Sequence, residues 1–150
     1  MNHNTVNSMS ISALSGSLRL LFESLQALHA AELFEPLSDP RVWEFIGKNP
    51  YPTVNAVAGH FAHMAAGPPA RHGHERWINY AVRSRAQGIV LGTLQATVVD
   101  RWAEVAFLFG PRYWGQGYAT EAMSAFQEYL RHSAPVEEFW ATTHPQNARS

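Results

Sequence analysis

Apolar positions along this chain change their spacing several times, and each change predicts an element. From Leu18 the run "LRLLFES" has strand character. Behind it Ala27, Ala30, Ala31 and Phe34 recur at helical spacing before Asp39-Pro40 stops the segment. "RVWEFIG" predicts one or two further helical turns. Thr53 follows Pro52 as a candidate N-cap, and beyond it Val54, Val57, Ala58, Phe61, Met64 and Ala65 line one helix face until "GPP". The period then drops to two. In "WINYAVR", Ile78, Tyr80 and Val82 face one way and Trp77, Asn79, Ala81 and Arg83 the other. "SRAQG" reads as a turn, "IVLGTLQATVV" as a second strand of a meander and "WAEVAFLF" as its third. After a glycine-rich stretch the helical period returns with Ala119, Ala122, Met123, Phe126 and Leu130, until Ser133 and Pro135. "FWATT" at 139–143 predicts a last strand. The order gives an α+β fold: a mixed, mostly antiparallel sheet flanked by helices, in which the late helix makes the one crossover able to bring in a parallel neighbour.

Composition narrows the picture. The 150 residues suit one domain with a single sizeable core. With 11 Lys+Arg against 12 Asp+Glu, the chain carries no electrostatic footprint for nucleic acid or an acidic membrane. Cysteine is absent, which removes disulfides, thiolate zinc sites and a cysteine nucleophile and fits a reducing, cytoplasmic setting. No apolar run approaches the roughly 18–20 residues of a membrane span. Residues 1–17, rich in Ser and Asn, read as a disordered leader, leaving one domain over 18–150.

The stretch "FGPRYWGQGYATEAM" at 109–123 is the unusual one. It sets Gly115 and Gly117 between a strand end and a helix start. Helix starts expose unpartnered N–H groups and partial positive charge, and glycine leaves no side chain to hold an anion away. A phosphate site and a merely tight turn both fit this spacing. The Walker pattern does not, because Gly117 is followed by Tyr-Ala rather than Lys-Ser/Thr. A dinucleotide fingerprint needs its glycines after the first strand.

In longer register, "AEVAFLFGPRYWGQGYATEA" resembles the GNAT N-acetyltransferases, in particular the branch of ribosomal-protein N-terminal acetyltransferases. "LHAAELFEPLSDPRVWEF" is similar to that branch's first helix and following Asp-Pro-x-Val, and "PQNARS" to its Pro-x-Asn-x-x-Ser. The resemblance implies acetyl-CoA as cosubstrate and an amine acceptor, either a peptide N-terminus or a small molecule. It implies that the amides of Trp114, Gly115, Gln116, Gly117, Tyr118, Ala119 and Thr120 hold the pyrophosphate. Phe107, Leu108 and Phe109 would pair with the pantetheine arm and Asn147 would bond it from the far side. Tyr113 and Trp114 would pack the loop against the core.

The resemblance also makes Glu104 the candidate general base, acting through water. Strand alternation puts Glu104 on one face with Ala106 and Leu108; a solvated strand glutamate is the competing reading. An oxyanion donor is expected from the Leu108 or Phe109 amide at a bulge in this strand. Usual members continue past Asn-x-x-Ser with a helix and two strands, whereas this sequence ends at Ser150. A fragment, a truncated relative and a domain completed by another chain all fit, and a bare final strand predicts homodimerisation. A non-catalytic acyl-CoA-binding or interaction module on the same fold is the rival function. Eight histidines raise the question of metal. His60 and His63 fall off the apolar stripe of their helix, while His72 and His74 lie in a Gly/Pro-rich loop, so no metal site is expected.

Overall fold

A computed structural model describes residues 16–142. The expected leader up to residue 15, "HPQNARS" with Asn147, and His144 lie outside the described residues. Gly16 and Ser17 join the fold: Gly16 bridges Leu21, and the Ser17 carbonyl accepts from Arg85 Nε at 2.9 Å.

The chain opens with strand β1 (Leu20–Ser24) and a 3-10 turn (Ala27–His29) that runs into helix α1 (Ala30–Leu37). Helix α2 (Pro40–Trp43) starts where the sequence suggests a stop. Asp39 caps it by accepting from the Arg41 amide at 2.9 Å, and Pro40 occupies the first turn, where a missing N–H costs nothing. Helix α3 (Val54–Ala66) has the expected cap, with the Ala56 amide donating to Thr53 Oγ1 at 3.1 Å. Gly67 ends it at φ +84°. Of its apolar stripe, Val57, Phe61 and Met64 are buried. Val54 and Ala65, at the two ends, are exposed, because the sheet supports only the middle of this face.

Strands β2 (Glu75–Ser84), β3 (Val90–Val99) and β4 (Trp102–Phe109) form the predicted meander. Helix α4 (Tyr118–Ser133) then crosses back to β5 (Glu138–Trp140). The sheet order is β1-β2-β3-β4-β5, antiparallel up to β4, with β5 added parallel to β4. The crossover helix therefore does bring in the one parallel neighbour.

Both sheet faces are buried. On one, Ala122, Phe126 and Leu130 of α4 pack on Leu94, Ala96, Val98, Ala103 and Val105. Each large side chain buried here contributes about 1.5–3 kcal/mol of transfer free energy. On the other, Leu33 and Leu37 of α1 and Val57 and Phe61 of α3 close over Ala81 and Val90. That second layer covers the β1–β3 side and thins out over β4, where Trp102, Glu104 and Ala106 remain exposed. Among the described residues no helix is long and apolar enough to cross a membrane.

Candidate active site

The site is built where β4 ends and α4 begins. Pairing of β4 with β3 runs without a register break from Trp102↔Val99 to Phe109↔Gly92. The expected bulge in β4 is therefore absent; the one register shift lies between β2 and β3, at Val82/Arg83. Regular alternation has a direct consequence for the main chain. The Gly110 amide donates to the Leu91 carbonyl at 3.0 Å, so even-numbered positions of β4 turn their amides toward β3. The Arg101 carbonyl accepts from the Glu137 amide at 2.6 Å, so odd-numbered positions face the β5 side. Leu108 thus spends its amide in the β3 ladder, while Phe107 and Phe109 point theirs outward. The expected oxyanion donor at Leu108 is corrected on this ground.

Strand β5 pairs with β4 only over Trp102, Ala103 and Glu104. Among the described residues, β4 beyond Glu104 has no strand on its outer edge. Glu104 stands at the end of this ladder, opposite Trp140 on β5 and Thr97 on β3, and Thr97 in turn lies opposite Trp77 on β2. It is exposed, on the face shared with Ala106 and Leu108 as alternation predicts. Among the described residues its carboxylate has no hydrogen-bond or ion-pair partner.

After Phe109 the chain makes a 3-10 turn over Pro111–Tyr113. Tyr113 and Trp114 are half-buried and pack against the core, and Trp114 Nε1 donates to the Phe109 carbonyl at 2.9 Å. The Trp114 amide donates to the Pro111 carbonyl at 3.1 Å. Of the seven expected phosphate-binding amides, that of Trp114 is thus already engaged. The next six, from Gly115 to Thr120, have no main-chain acceptor among the described residues. The first helical bond is Glu121 N–H to Gly117 O, at 3.0 Å. Gly115 and Gly117 both sit in the left-handed region, at φ +74° and +79°. Gly117 is the N-cap and supplies no capping side chain. Both loop glycines are exposed.

A cluster that sequence reasoning missed braces the loop from β1. Glu121, in the first turn of α4, accepts from Ser17 Oγ at 2.6 Å, the Arg19 amide at 2.9 Å and Arg19 Nε at 2.6 Å. Burial pushes the Glu121 carboxyl up, but the Ser17 hydroxyl and Arg19 outweigh it and hold it below the usual range. Arg19 Nη1 donates to the Gln116 carbonyl at 3.1 Å, and its Cζ lies 4.4 Å from the centroid of the Tyr118 ring. Glu121 belongs to the quoted motif, but its partners are 102 and 104 positions away, and no local pattern signals the pairing.

A cavity of about 180 Å³ on the far side of Gly110, lined by Glu35, Asp39 and Arg112 among others, is smaller than the few hundred Å³ of a typical small-molecule site. Among the described residues no three metal-binding side chains gather. His60 and His63 are exposed on α3, as expected.

An acetyltransferase (GNAT) domain model matches residues 19–150. The chain belongs to the GNAT acetyltransferase family. Solved structures of similar fold include a GNAT-family acetyltransferase from Bacillus anthracis, at 21% identity and TM-score 0.76, covering 89% of this chain and 75% of that one. An acetyl transferase from Salmonella typhimurium, which modifies the N-terminal serine of a ribosomal protein, aligns at 13% identity and TM-score 0.72, over 88% of this chain and 75% of its own. An aminoglycoside acetyltransferase solved with coenzyme A aligns at 19% and TM-score 0.65, over 87% and 78%. No curated protein sequence matches the chain. At these identities the structural likeness establishes the fold of this GNAT domain, while the family model establishes its membership.

Proposed function

We propose that this GNAT domain transfers the acetyl group of acetyl-CoA to a primary amine by direct attack. The observation that carries the reading is the run of amides from Gly115 to Thr120, unpartnered among the described residues and set at the end of a strand whose outer edge beyond Glu104 carries no described strand. The amides and the positive end of α4 receive the diphosphate. From Phe109 back to Phe107, beyond the reach of β5, the outer β4 edge is open to the pantetheine arm. The Phe107 carbonyl and the Phe109 amide supply its outward bonding groups, the Phe109 carbonyl being shared with Trp114. Asn147 is carried over as a pantetheine contact from the far side.

This layout brings the thioester close to Glu104. The amine nitrogen attacks the acyl carbon, the carbon–sulfur bond breaks, and the amine proton leaves through water to the Glu104 carboxylate. The thiolate takes a proton from solvent. In this reading the Phe107 amide, the first outward-facing one beyond the reach of β5, bonds the oxyanion. An α-amino group, with a pKa of about 7.7–8.0, reaches the neutral form far more readily than a lysine at about 10.4. Peptide N-termini are therefore the favoured acceptors, in keeping with the Salmonella relative. Small amines rank second, as for the aminoglycoside enzyme.

Release of free thiol from acetyl-CoA tests this, using peptides with free N-termini, matched N-blocked lysine peptides and small amines. Turnover should be fastest with the free N-termini at neutral pH. Coenzyme A binding without turnover on any amine would instead establish a binding module.

A further inference from the structure

Tryptophan and glutamate recur two positions apart on the sheet face of Glu104: Glu75 with Trp77 on β2, Trp102 with Glu104 on β4, and Glu138 with Trp140 on β5. The β2 pair is satisfied within the protein. Trp77 Nε1 donates to Glu75 at 3.1 Å, and His63 of α3 meets the indole at 5.5 Å between ring centroids. The other two pairs are open. Their register sets Trp102 opposite Glu138 and Glu104 opposite Trp140, so indoles and carboxylates alternate around one square of the sheet. Trp102 is 39% exposed and Trp140 61%. Among the described residues neither indole meets a ring, a cation or a hydrogen-bond acceptor, and neither carboxylate has a partner. The nearby arginines are engaged elsewhere: Arg101 pairs with Glu137 at 3.3 Å, and Arg131 stacks on Phe139, which faces the other side of the sheet. An exposed indole beside a carboxylate attracts an organic cation on two counts, through the ring quadrupole and through the charge.

We propose that this square is the part of the acceptor site that binds a second positive charge: the substrate is a peptide whose N-terminal amine comes to Glu104 and whose second residue is basic. The inference rests on the acceptor reading above, in which Glu104 serves the reacting amine, and it adds a specificity that the amine alone does not give. One step along the ladder, from the Glu104–Trp140 row to the Trp102–Glu138 row, is about 7 Å. A lysine side chain at the second position covers that distance, with its apolar stem along Trp140 and its ammonium between Trp102 and Glu138.

Thiol release with two peptides tests this. They differ only at the second position, lysine in one and norleucine, the same stem without the charge, in the other. The wild type should favour the lysine peptide by about fivefold to thirtyfold in kcat/KM, mostly through KM. Trp140→Leu and Glu138→Gln should each cut that ratio by about twofold to tenfold. Thermal unfolding establishes that each variant is folded, and should one fail, the other decides by the same ratio. A wild type without preference, or variants that lose equally on both peptides, overturns the proposal. Self-association that disappears in Trp140→Leu while the ratio stays put also overturns it, marking the indoles as a contact between copies of the chain. A wild type that acetylates no amine removes the acceptor reading and this inference with it, whereas turnover indifferent to the lysine removes this inference alone.

Discussion

Glu104→Gln should lower kcat for acetyl transfer by about 10²–10⁴-fold, the range in which a positioned general base contributes. The KM for acetyl-CoA should stay within about threefold, because losing a group that acts in the chemical step leaves uniform binding intact. Three features of the structure motivate the size of the effect. Glu104 sits where the β4–β5 ladder ends, its carboxylate is exposed, and no described residue holds it in an ion pair. A carboxylate kept only for strand packing would be expected to lie among neighbours, and this one does not. Stability should barely change, since an exposed, unpartnered side chain contributes little to folding. Steady-state thiol release at saturating acceptor makes the comparison. A fall in kcat of less than about threefold would return Glu104 to the status of a solvated strand residue.

The second large effect falls on the fold. Gly92→Ala should cost about 3 kcal/mol, the upper part of the range for overpacking a tight interior. For a domain of this size that corresponds to a drop in Tm on the order of 6–12 °C. A Cβ at position 92 would stand 2.1 Å from the Leu108 carbonyl oxygen and 2.8 Å from the Phe109 Cα. Both are main-chain atoms of β4, so no side-chain rotation relieves the contact and the two strands must part. The place where they would part is the last pair before the proposed phosphate loop, Gly92↔Phe109. Weaker coenzyme A binding should therefore accompany the lower Tm, as the start of the loop is displaced. Gly115→Ala makes the contrast. Nothing lies within 4 Å of its added Cβ, and the cost is the left-handed backbone alone, about 1–2 kcal/mol. Differential scanning calorimetry of the two variants should rank them in that order.

The fold was largely legible because its signals are local. The change from a helical to an alternating period near Trp77, the Thr53 cap and the stripe of Ala122, Phe126 and Leu130 each belong to one element. The one parallel pair followed from the helical crossover between β4 and β5, although β1 and β2, also joined through helices, pair antiparallel. Legibility ended where distant segments meet. Pro40 reads as a stop in sequence but opens α2, because Asp39 folds back to cap it. A bulge is expected in β4, yet the register shift sits between β2 and β3, at Val82/Arg83. The motif pointed to the glycine loop after β4, but it could not show that the Trp114 amide is consumed by Pro111 or that Arg19 and Ser17 come from the far end of the chain to brace Glu121. These are pairings, and a one-dimensional pattern carries no record of them.

The central claim is that six amides after β4, unpartnered among the described residues, receive the diphosphate of the cofactor. Backbone ¹H–¹⁵N spectra recorded during titration with acetyl-CoA test it most directly. The account predicts that the amide signals of residues 115–120 move downfield together and saturate with the binding isotherm, while that of Trp114, already bonded to Pro111, shifts far less. Saturable binding that leaves 115–120 unmoved and perturbs another segment of the chain would contradict it.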